Sequence, residues 1–198
     1  MGKIFFLMGK SATGKDTIFR NLLQDESLAM QEIVPYTTRP IRSGEIPGKD
    51  YYYVTEEEFQ ILLSDHKIVE HRSYDTIHGI WRYFMVEDAN IKLTENDYLV
   101  VGTLEAYPIV RAYFGETVVV PIMITVEDGI RLQRALNRER QQENPKYEEL
   151  CRRFLADSID YAAENMVSAG IEMTFENNTM ETCLIHIKEY IKGFYGNI

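Results

Sequence analysis

Apolar residues follow two alternating patterns along this chain, short continuous runs and longer stretches in which they recur every three or four positions. The continuous runs predict buried strands at 4–8, 98–101, 118–125 and 171–175, with a short extended segment at 32–36. The recurrent spacing predicts helices at 18–23 and near 87–95, 104–114, 126–140, 147–165 and 180–195. Buried strands that alternate with helices are typical of an α/β fold. The chain is therefore predicted to form three α/β/α layers with a mostly parallel five-stranded sheet.

Residues 36–86 interrupt this alternation. They begin with a segment rich in proline and glycine, which excludes a helix there. A helix is predicted after Thr55, because Thr55 and Glu58 have the spacing of a capping box, and it should run to about Asp65. Two strands around a turn are predicted, at 67–74 and 77–86. We therefore expect a small inserted β-rich lobe at 36–86, within a core formed by 1–35 and 87–198.

The composition of the 198-residue chain excludes several functional classes. The formal net charge of −10 argues against a non-specific nucleic-acid binder. No apolar run approaches the roughly 20 residues that span a bilayer, and the N-terminus lacks the pattern of a signal peptide. Cys151 and Cys183 have no spacing typical of disulfide frameworks or metal sites. We therefore expect a cytoplasmic protein with neither nucleic-acid nor membrane partners.

The arginines nevertheless cluster in three short groups, at 39 and 42, at 131, 134, 138 and 140, and at 152 and 153. An arginine fork binds phosphate through two parallel hydrogen bonds, so such groups in an acidic protein indicate small anionic ligands. The alternative for each group is a solvated helix face.

The segment from Gly9 to Thr17 links the first predicted strand to the first predicted helix and has the spacing of a phosphate-binding loop, or P-loop. Its glycines let the backbone N–H groups curl inward, and the helix N-terminus adds partial positive charge. Lys15 adds a full charge that reaches the β- and γ-phosphates of a nucleotide. The alternative is a glycine turn that starts an ordinary helix. The predicted ATP-binding residues of this loop are Gly9, Ser11, Ala12, Thr13, Gly14, Lys15, Asp16 and Thr17.

The position after Lys15, where the common pattern has serine or threonine, is occupied by Asp16, and Thr17 follows it. Magnesium prefers oxygen ligands, so a carboxylate or a hydroxyl here can meet the ion directly or through water. We predict Mg²⁺ as the metal that accompanies ATP, with Asp16 or Thr17 as its ligand.

A second motif runs from Thr37 to Tyr51 and reads Thr-Thr-Arg-x-x-Arg-x-Gly-Glu-x-x-Gly-x-Asp-Tyr. It closely resembles the acceptor-binding segment of guanylate kinases, and the P-loop, inserted lobe and arginine-rich lid follow the order of that family. The resemblance implies that Arg39, Arg42 and Tyr51 hold the acceptor phosphate. It also implies that Glu70 accepts hydrogen bonds from the N1–H and amino groups of guanine.

The same resemblance implies a reaction in which ATP and GMP give ADP and GDP. Lys15, Arg138 and Arg153 would be its catalytic residues. Arg138 matches the family's arginine in the helix next to the loop, and Arg153 matches its partner after a helical lid at about 138–150. Both arginines would close on the transferring phosphate. Glu45 is expected near the guanine or in the hydrogen-bond network of the lobe. Asn177 stands where the family contacts the donor adenine, although a turn role explains it equally well.

This chain departs from the family mainly on the acceptor side. Pro35 stands where the family usually has serine, and His78 occupies the place of a phosphate-holding tyrosine. The aspartate expected near the acceptor base is absent, so Thr103 or Glu105 would have to substitute for it. Two alternatives therefore stay open: a P-loop kinase for another nucleotide or a phosphorylated ribose, and a non-catalytic guanylate-kinase-like interaction module. The retained P-loop favours phosphoryl transfer.

Overall fold

The computed structural model describes residues 1–76, 79–88 and 90–195, and within them the chain forms nine strands and seven helices. The strands are β1 (Ile4–Gly9), β2 (Gln31–Glu32), β3 (Tyr36–Thr37), β4 (Tyr52–Tyr53), β5 (Ile68–Thr76), β6 (Gly79–Val86), β7 (Tyr98–Val101), β8 (Val119–Thr125) and β9 (Thr174–Glu176). The helices are α1 (Lys15–Leu23), α2 (Glu56–Ser64), α3 (Ala106–Phe114), α4 (Asp128–Arg140), α5 (Tyr147–Asp160), α6 (Ala163–Ser168) and α7 (Met180–Gly193).

Five strands form a parallel sheet in the order β2–β7–β1–β8–β9. β1 lies at its centre, and all its residues are buried because both faces of the sheet are covered. Successive side chains of β1 point to opposite faces. Ile4, Phe6 and Met8 join a core with α3, whereas Phe5 and Leu7 join a core with α1 and α7. The predicted three-layer α/β/α fold with a five-stranded parallel sheet is confirmed.

A second sheet, in the order β4–β3–β6–β5, lies between β2 and β7 in the sequence, and its strand β6 is antiparallel to β3 and β5. With α2 it encloses a small core of its own around Phe59, Phe84 and Val86. α2 begins with the expected capping box, in which the Glu58 N–H donates to Thr55 Oγ1 and the Thr55 N–H donates to Glu58 Oε2. The helix predicted after Thr55 is confirmed.

The described residues of 87–95 form turns and irregular backbone, so the helix predicted there is wrong. Side chains take the backbone groups that a helix would use. The Asn90 N–H donates to Asp88 Oδ1, and the Tyr98 hydroxyl accepts from the Lys92 N–H and donates to Asn90 O. Such local hydrogen bonds from side chains compete with a helix.

The single helix predicted at 147–165 is divided into α5 and α6. The break follows Asp160, where the Asn165 side chain donates to the carbonyl oxygens of Ile159 and Asp160. Because these carbonyls are satisfied by a side chain, the first helix ends and the chain turns into the second. The last strand is also shorter than predicted, since β9 begins at Thr174 rather than at 171.

Both cysteines are free, Cys151 on the surface and Cys183 in the core. Burial raises the pKa of the Cys183 thiol to about 11. Over the described residues, no helix combines the length and the apolar character that crossing a membrane requires.

Candidate active site

The P-loop follows directly from β1 and ends at α1, at the edge of the parallel sheet where its strands have their carboxyl ends. Ala12 and Gly14 both have left-handed backbone conformations, with φ of 63° and 88°. Thr13 lies between them, is buried, and donates from Oγ1 to Lys10 O at 2.9 Å. A turn with this backbone directs successive N–H groups toward a common centre, which is suited to binding an anion. This is the edge at which open α/β sheets bind ligands.

The two glycines are required by close contacts with the rest of the core. A Cβ atom on Gly14 would lie 2.6 Å from Asn177 Nδ2, and one on Gly9 would lie 2.6 Å from Ile124 O. No larger residue therefore fits either position without a shift of the loop or the strand beside it.

Asn177 was predicted to contact adenine or to form a turn. In the structure, its side chain is hydrogen-bonded to the backbone of the P-loop. It is 1% exposed, and its Nδ2 donates to Thr13 O at 2.8 Å. Its backbone oxygen accepts from Arg134 Nη2 at 3.0 Å. Its Oδ1 is buried and has no hydrogen-bond partner in the part of the chain that the structure describes. Asn177 therefore joins the loop to β9 and to α4.

Asp16 and Thr17, the predicted Mg²⁺ ligands, are exposed in the first turn of α1, next to Lys15. No cluster of three or more histidine, cysteine, aspartate or glutamate side chains that could bind a metal ion is found among residues 1–76, 79–88 and 90–195. Magnesium that accompanies a nucleotide takes one or two protein oxygens and completes its shell with phosphate and water. The carboxylate of Asp16 and the hydroxyl of Thr17 fit that requirement.

A buried ion pair that sequence analysis did not identify fixes the P-loop against α4 and α5. Arg131, which is 1% exposed, donates from Nη1 to Asp157 Oδ2 at 2.7 Å and to Ser11 O at 3.2 Å. The same Asp157 oxygen accepts from the Ser11 N–H at 2.8 Å. The Arg131 guanidinium also stacks 4.1 Å from the ring centre of Phe154. Arg131 belongs to one of the arginine groups noted in the sequence. Its partner Asp157 lies 26 positions away, so the sequence did not indicate the pair.

The two predicted catalytic arginines, Arg138 and Arg153, border one cavity of about 120 Å³, which Ser11 of the P-loop also lines. Arg138 is exposed in the last turn of α4. Arg153 is exposed on α5, and its Nε donates to Glu149 Oε1 at 2.6 Å. Hydrogen bonds from Arg152 and Arg153 lower the pKa of Glu149 to about 2. The structure thus brings Arg138 and Arg153 to the same cavity beside the P-loop. Arg153 forms an ion pair with Glu149 there.

Arg39 is 3% exposed and is held mainly by Glu45. Its Nη1 and Nη2 donate to the two Glu45 oxygens at 2.8 and 2.5 Å, and its Nε donates to the Tyr83 hydroxyl at 3.2 Å. The Tyr53 hydroxyl donates to Glu45 as well. The hydrogen bond from Arg39 lowers the pKa of Glu45 to about 2. Glu45 thus lies in the hydrogen-bond network of the lobe, the second of its two predicted places, and most Arg39 donors are already used.

Arg42 and Tyr51 flank this cluster. The Arg42 N–H donates to Glu45, while its exposed guanidinium lies 5.9 Å from the ring centre of Trp81. The Tyr51 ring lies 5.1 Å from the Arg39 guanidinium, and burial raises the pKa of its hydroxyl. Arg39 and Tyr51 are therefore in contact, and the Arg42 backbone is linked to Arg39 through Glu45. His78 lies outside the described residues.

Glu70 is buried on β5, with 7% of its surface exposed, and burial raises the pKa of its carboxyl while the nearby Arg72 opposes the shift. Arg72 Nη2 lies 3.5 Å from Glu70 Oε1, and Arg72 Nη1 donates to Thr103 Oγ1 at 3.2 Å. Sequence analysis proposed Glu70 and Thr103 but missed Arg72. The signal was available, because residues two positions apart on a strand share a face.

A larger cavity of about 670 Å³ lies between the P-loop and Thr103. Gly9, Ser11 and Lys15 line it on the P-loop side, and Thr103, Glu105 and Tyr74 line it toward the second sheet. Its volume lies within the roughly 300–1,000 Å³ of typical ligand pockets. The P-loop and Thr103 therefore line the same open cleft. Thr103 is also the residue whose hydroxyl accepts a hydrogen bond from Arg72.

Comparison with known proteins agrees with this geometry. Residues 1–95 match the guanylate kinase family model. The guanylate kinase of Chlamydia pneumoniae is 44% identical over 68 residues, and that of Oceanobacillus iheyensis is 37% identical over 87 residues. A crystal structure of guanylate kinase from Anaplasma phagocytophilum matches with a TM-score of 0.66 at 23% identity, over 99% of this chain and 87% of that one. The chain has the guanylate kinase fold.

The resemblance to guanylate kinases predicted from the P-loop and from residues 37–51 is thereby confirmed. The two sequence matches cover 34% and 43% of this chain, and they span only 33% and 42% of the length of those relatives. The structural match extends the likeness to nearly the whole chain as a likeness of fold. The activity must therefore be argued from the site itself.

Proposed function

We propose that this protein is an ATP-dependent nucleoside monophosphate kinase that converts ATP and GMP to ADP and GDP. The observation that carries this proposal is the single cleft that joins Lys15 of the P-loop to Thr103. A transferase for two nucleotides needs a phosphate loop and an acceptor pocket that open onto one space, because the two phosphates must meet.

On the donor side, the P-loop binds the ATP phosphates through its N–H groups, and Lys15 compensates charge on the β- and γ-phosphates. Asp16 and Thr17 would hold Mg²⁺, which supplies further positive charge to the phosphates when bound. Asn177 keeps the loop in its binding conformation through its hydrogen bond to Thr13.

On the acceptor side, the Glu70 carboxylate accepts from the two adjacent donors of guanine, the N1–H and the amino group. Arg42 and Tyr51 hold the GMP phosphate, together with the part of Arg39 that Glu45 leaves free. Glu45 keeps Arg39 in place beside Tyr51, so the phosphate site is assembled before GMP enters.

In the reaction, an oxygen of the GMP phosphate attacks the γ-phosphorus of ATP. A new phosphorus–oxygen bond forms as the bond to the β–γ bridging oxygen breaks, and ADP leaves with that oxygen. Such transfer depends on alignment and charge compensation rather than on covalent help. Lys15, Arg138 and Arg153 supply the charge as the cleft closes.

The same proposal assigns motion to two segments. The lobe at 36–86 moves against the core at 1–35 and 87–198, and the segment at about 138–150 acts as the lid. Closure excludes water, which would otherwise hydrolyse ATP in place of transfer. Two free cysteines fit the reducing cytosol, in which we place the reaction.

The test is ADP production from Mg-ATP with GMP, dGMP, AMP, CMP, UMP and ribose 5-phosphate offered separately. The proposal predicts turnover with GMP and dGMP that clearly exceeds turnover with the other acceptors. Turnover with a different acceptor and none with GMP would refute the substrate. If no ADP were produced with any of the six acceptors, although ATP binding was measurable, the kinase assignment would be refuted.

A further inference from the structure

Arg72 is placed to act on whatever Glu70 binds. The two residues are two positions apart on β5 and therefore share a face of the strand. The Arg72 guanidinium forms an ion pair with Glu70, and its Nη1 donates to Thr103 Oγ1 at 3.2 Å. Because Thr103 lines the central cleft, this chain of three residues runs from the buried carboxylate to the open space of the site.

Two polar atoms of this group are buried without a hydrogen bond. Glu70 Oε2 and Arg72 Nε form an ion pair at 3.3 Å, yet neither makes a hydrogen bond within the described chain. One is an acceptor and the other is a donor. Buried polar groups are normally hydrogen-bonded, so this pair has the capacity to accept from and donate to a ligand that enters beside it.

Thr103 adds a third open group. Its Oγ1 accepts from Arg72 Nη1 and from the Ala106 N–H at 3.3 Å, so its oxygen is used as an acceptor twice. Its own O–H donates to no acceptor among residues 1–76, 79–88 and 90–195. The group therefore offers a carboxylate acceptor, a guanidinium donor and a hydroxyl donor side by side.

We infer that Arg72 is a specificity-determining residue that donates to the carbonyl oxygen at position 6 of the acceptor base while Glu70 accepts from N1–H and the amino group. This inference rests on the proposed function. Along one edge, guanine presents the carbonyl oxygen at position 6 as an acceptor, followed by N1–H and the amino group as donors. The Arg72 guanidinium supplies the matching donor, and the two oxygens of the Glu70 carboxylate supply the matching acceptors. Adenine presents an amino donor where guanine has its carbonyl oxygen, so Arg72 faces a like donor there and adenine is rejected.

A purely structural role gives a different expectation. If Arg72 only neutralised the Glu70 carboxylate, its removal would weaken every acceptor equally, because no atom of the base would meet it. A reading role instead predicts that the loss depends on the atom at position 6. The two roles are separated by a pair of substrates that differ at that atom alone.

The experiment compares kcat/KM for GMP with that for 6-thio-GMP, which keeps N1–H and the amino group but replaces the oxygen with sulfur, a weak acceptor. The unmodified protein should prefer GMP by about tenfold or more, the usual effect of a hydrogen bond to a charged group. Arg72→Met should reduce that preference to about threefold or less. Arg111→Met, in the last turn of α3 in a pair with the exposed Glu116, is the matched control and should keep the preference.

Removing Arg72 leaves the buried Glu70 carboxylate unpaired, which can destabilise the fold. The double variant Glu70→Gln with Arg72→Met removes both charges and is compared with Glu70→Gln alone. The GMP preference over 6-thio-GMP should be lower in the double variant. IMP, which lacks only the amino group, provides a second comparison: its ratio to GMP should change with Glu70→Gln and stay constant with Arg72→Met.

The outcomes are distinct. No turnover of GMP by the unmodified protein would overturn both the proposed function and this inference. GMP turnover without a preference over 6-thio-GMP, or a preference that Arg72→Met leaves intact, would overturn the inference and leave the kinase assignment standing. Loss of the preference in Arg72→Met and its retention in Arg111→Met would establish Arg72 as the reader of position 6.

Discussion

Gly14 shows how one residue sets the shape of the P-loop. Its φ of +88° is favourable only for glycine, and a Cβ there would lie 2.6 Å from the Asn177 amide nitrogen that supports Thr13. Gly14→Ala should therefore lower the free energy of unfolding by at least about 1–2 kcal/mol, the usual cost of a left-handed residue with a side chain. It should also weaken Mg-ATP binding, measured by titration calorimetry.

The matched control for Gly14 is Gly193→Ala, at the end of α7, where an added Cβ meets nothing within 4 Å. Alanine suits a helix better than glycine, so this variant should be at least as stable as the unmodified protein in urea. Equal ATP affinity and equal stability in both variants would show that the loop tolerates a side chain at Gly14, against the contacts described above.

Glu45 gives a prediction about pH at the same scale. Hydrogen bonding from Arg39 lowers the pKa of Glu45 from the ordinary 4.5 to about 2. A carboxyl with a lowered folded pKa contributes stability above its unfolded pKa and loses it as the pH falls toward the folded value. Glu45→Gln should therefore be less stable than the unmodified protein at neutral pH, and the difference should shrink below about pH 4.5.

Urea unfolding at a series of pH values measures this difference. Glu143→Gln serves as the control, because Glu143 is an exposed glutamate of the segment between α4 and α5, and its unfolding free energy at neutral pH should match that of the unmodified protein. A stability difference for Glu45→Gln that stays constant between neutral pH and about pH 3 would contradict the ionic hydrogen bond between Arg39 and Glu45.

Among the secondary-structure elements, α4, α5 and the P-loop are joined through Arg131. Its guanidinium is buried against Asp157, Ser11 and Phe154. Arg131→Met leaves the Asp157 carboxylate without its cation, and breaking a buried pair in this way costs about 3–5 kcal/mol. The variant should show a correspondingly lower unfolding free energy and weaker ATP binding, because Asp157 also holds the Ser11 N–H.

Arg140→Met, in the last turn of the same helix, is the control for Arg131 because Arg140 is exposed. A surface substitution of this kind changes stability by about 0.5 kcal/mol or less. If calorimetric melting showed Arg131→Met to be no less stable than Arg140→Met, the ion pair would not be what joins the helices to the loop.

The same scale shows which elements could be predicted from the sequence. β1, β7 and β8 are continuous apolar runs, and a buried strand leaves that signal wherever it lies. The helix expected at 87–95 fails because the side chains of Asp88 and Tyr98 bind the backbone of Asn90 and Lys92, and periodicity does not record such contacts. The division of α5 from α6 depends in the same way on one side chain, Asn165.

In the whole molecule, the candidate site depends on distances in space that the sequence does not contain. Lys15 was predictable because glycines, lysine, strand and helix are contiguous. The pair Arg131–Asp157 was not, because its members are 26 positions apart on separate helices. Arg72 could have been found from its spacing to Glu70 on one strand face, whereas its contact with Thr103 required the packing of β5 beside the parallel sheet.

The two sides of the central cleft belong to different sheets. The P-loop lies on the rigid parallel sheet, and Arg39, Glu45 and Glu70 lie on the second sheet or the segment that leads to it. Each side has a core of its own. Under the proposed function, the P-loop side and the separately packed second sheet can approach each other without either unfolding, which transfer between two nucleotides would require.

The central claim is that Lys15 drives phosphoryl transfer from ATP to GMP in this cleft, and chromatographic measurement of GDP formation tests it most directly. The unmodified protein should convert GMP to GDP with equal formation of ADP. Lys15→Ala should reduce kcat by about 100-fold or more with the fold intact by circular dichroism, since a charge that stabilises the transition state is lost. Lys92→Ala, in a surface pair with Glu95, should stay near normal. Near-normal GDP formation by Lys15→Ala, or none by the unmodified protein, would contradict the account.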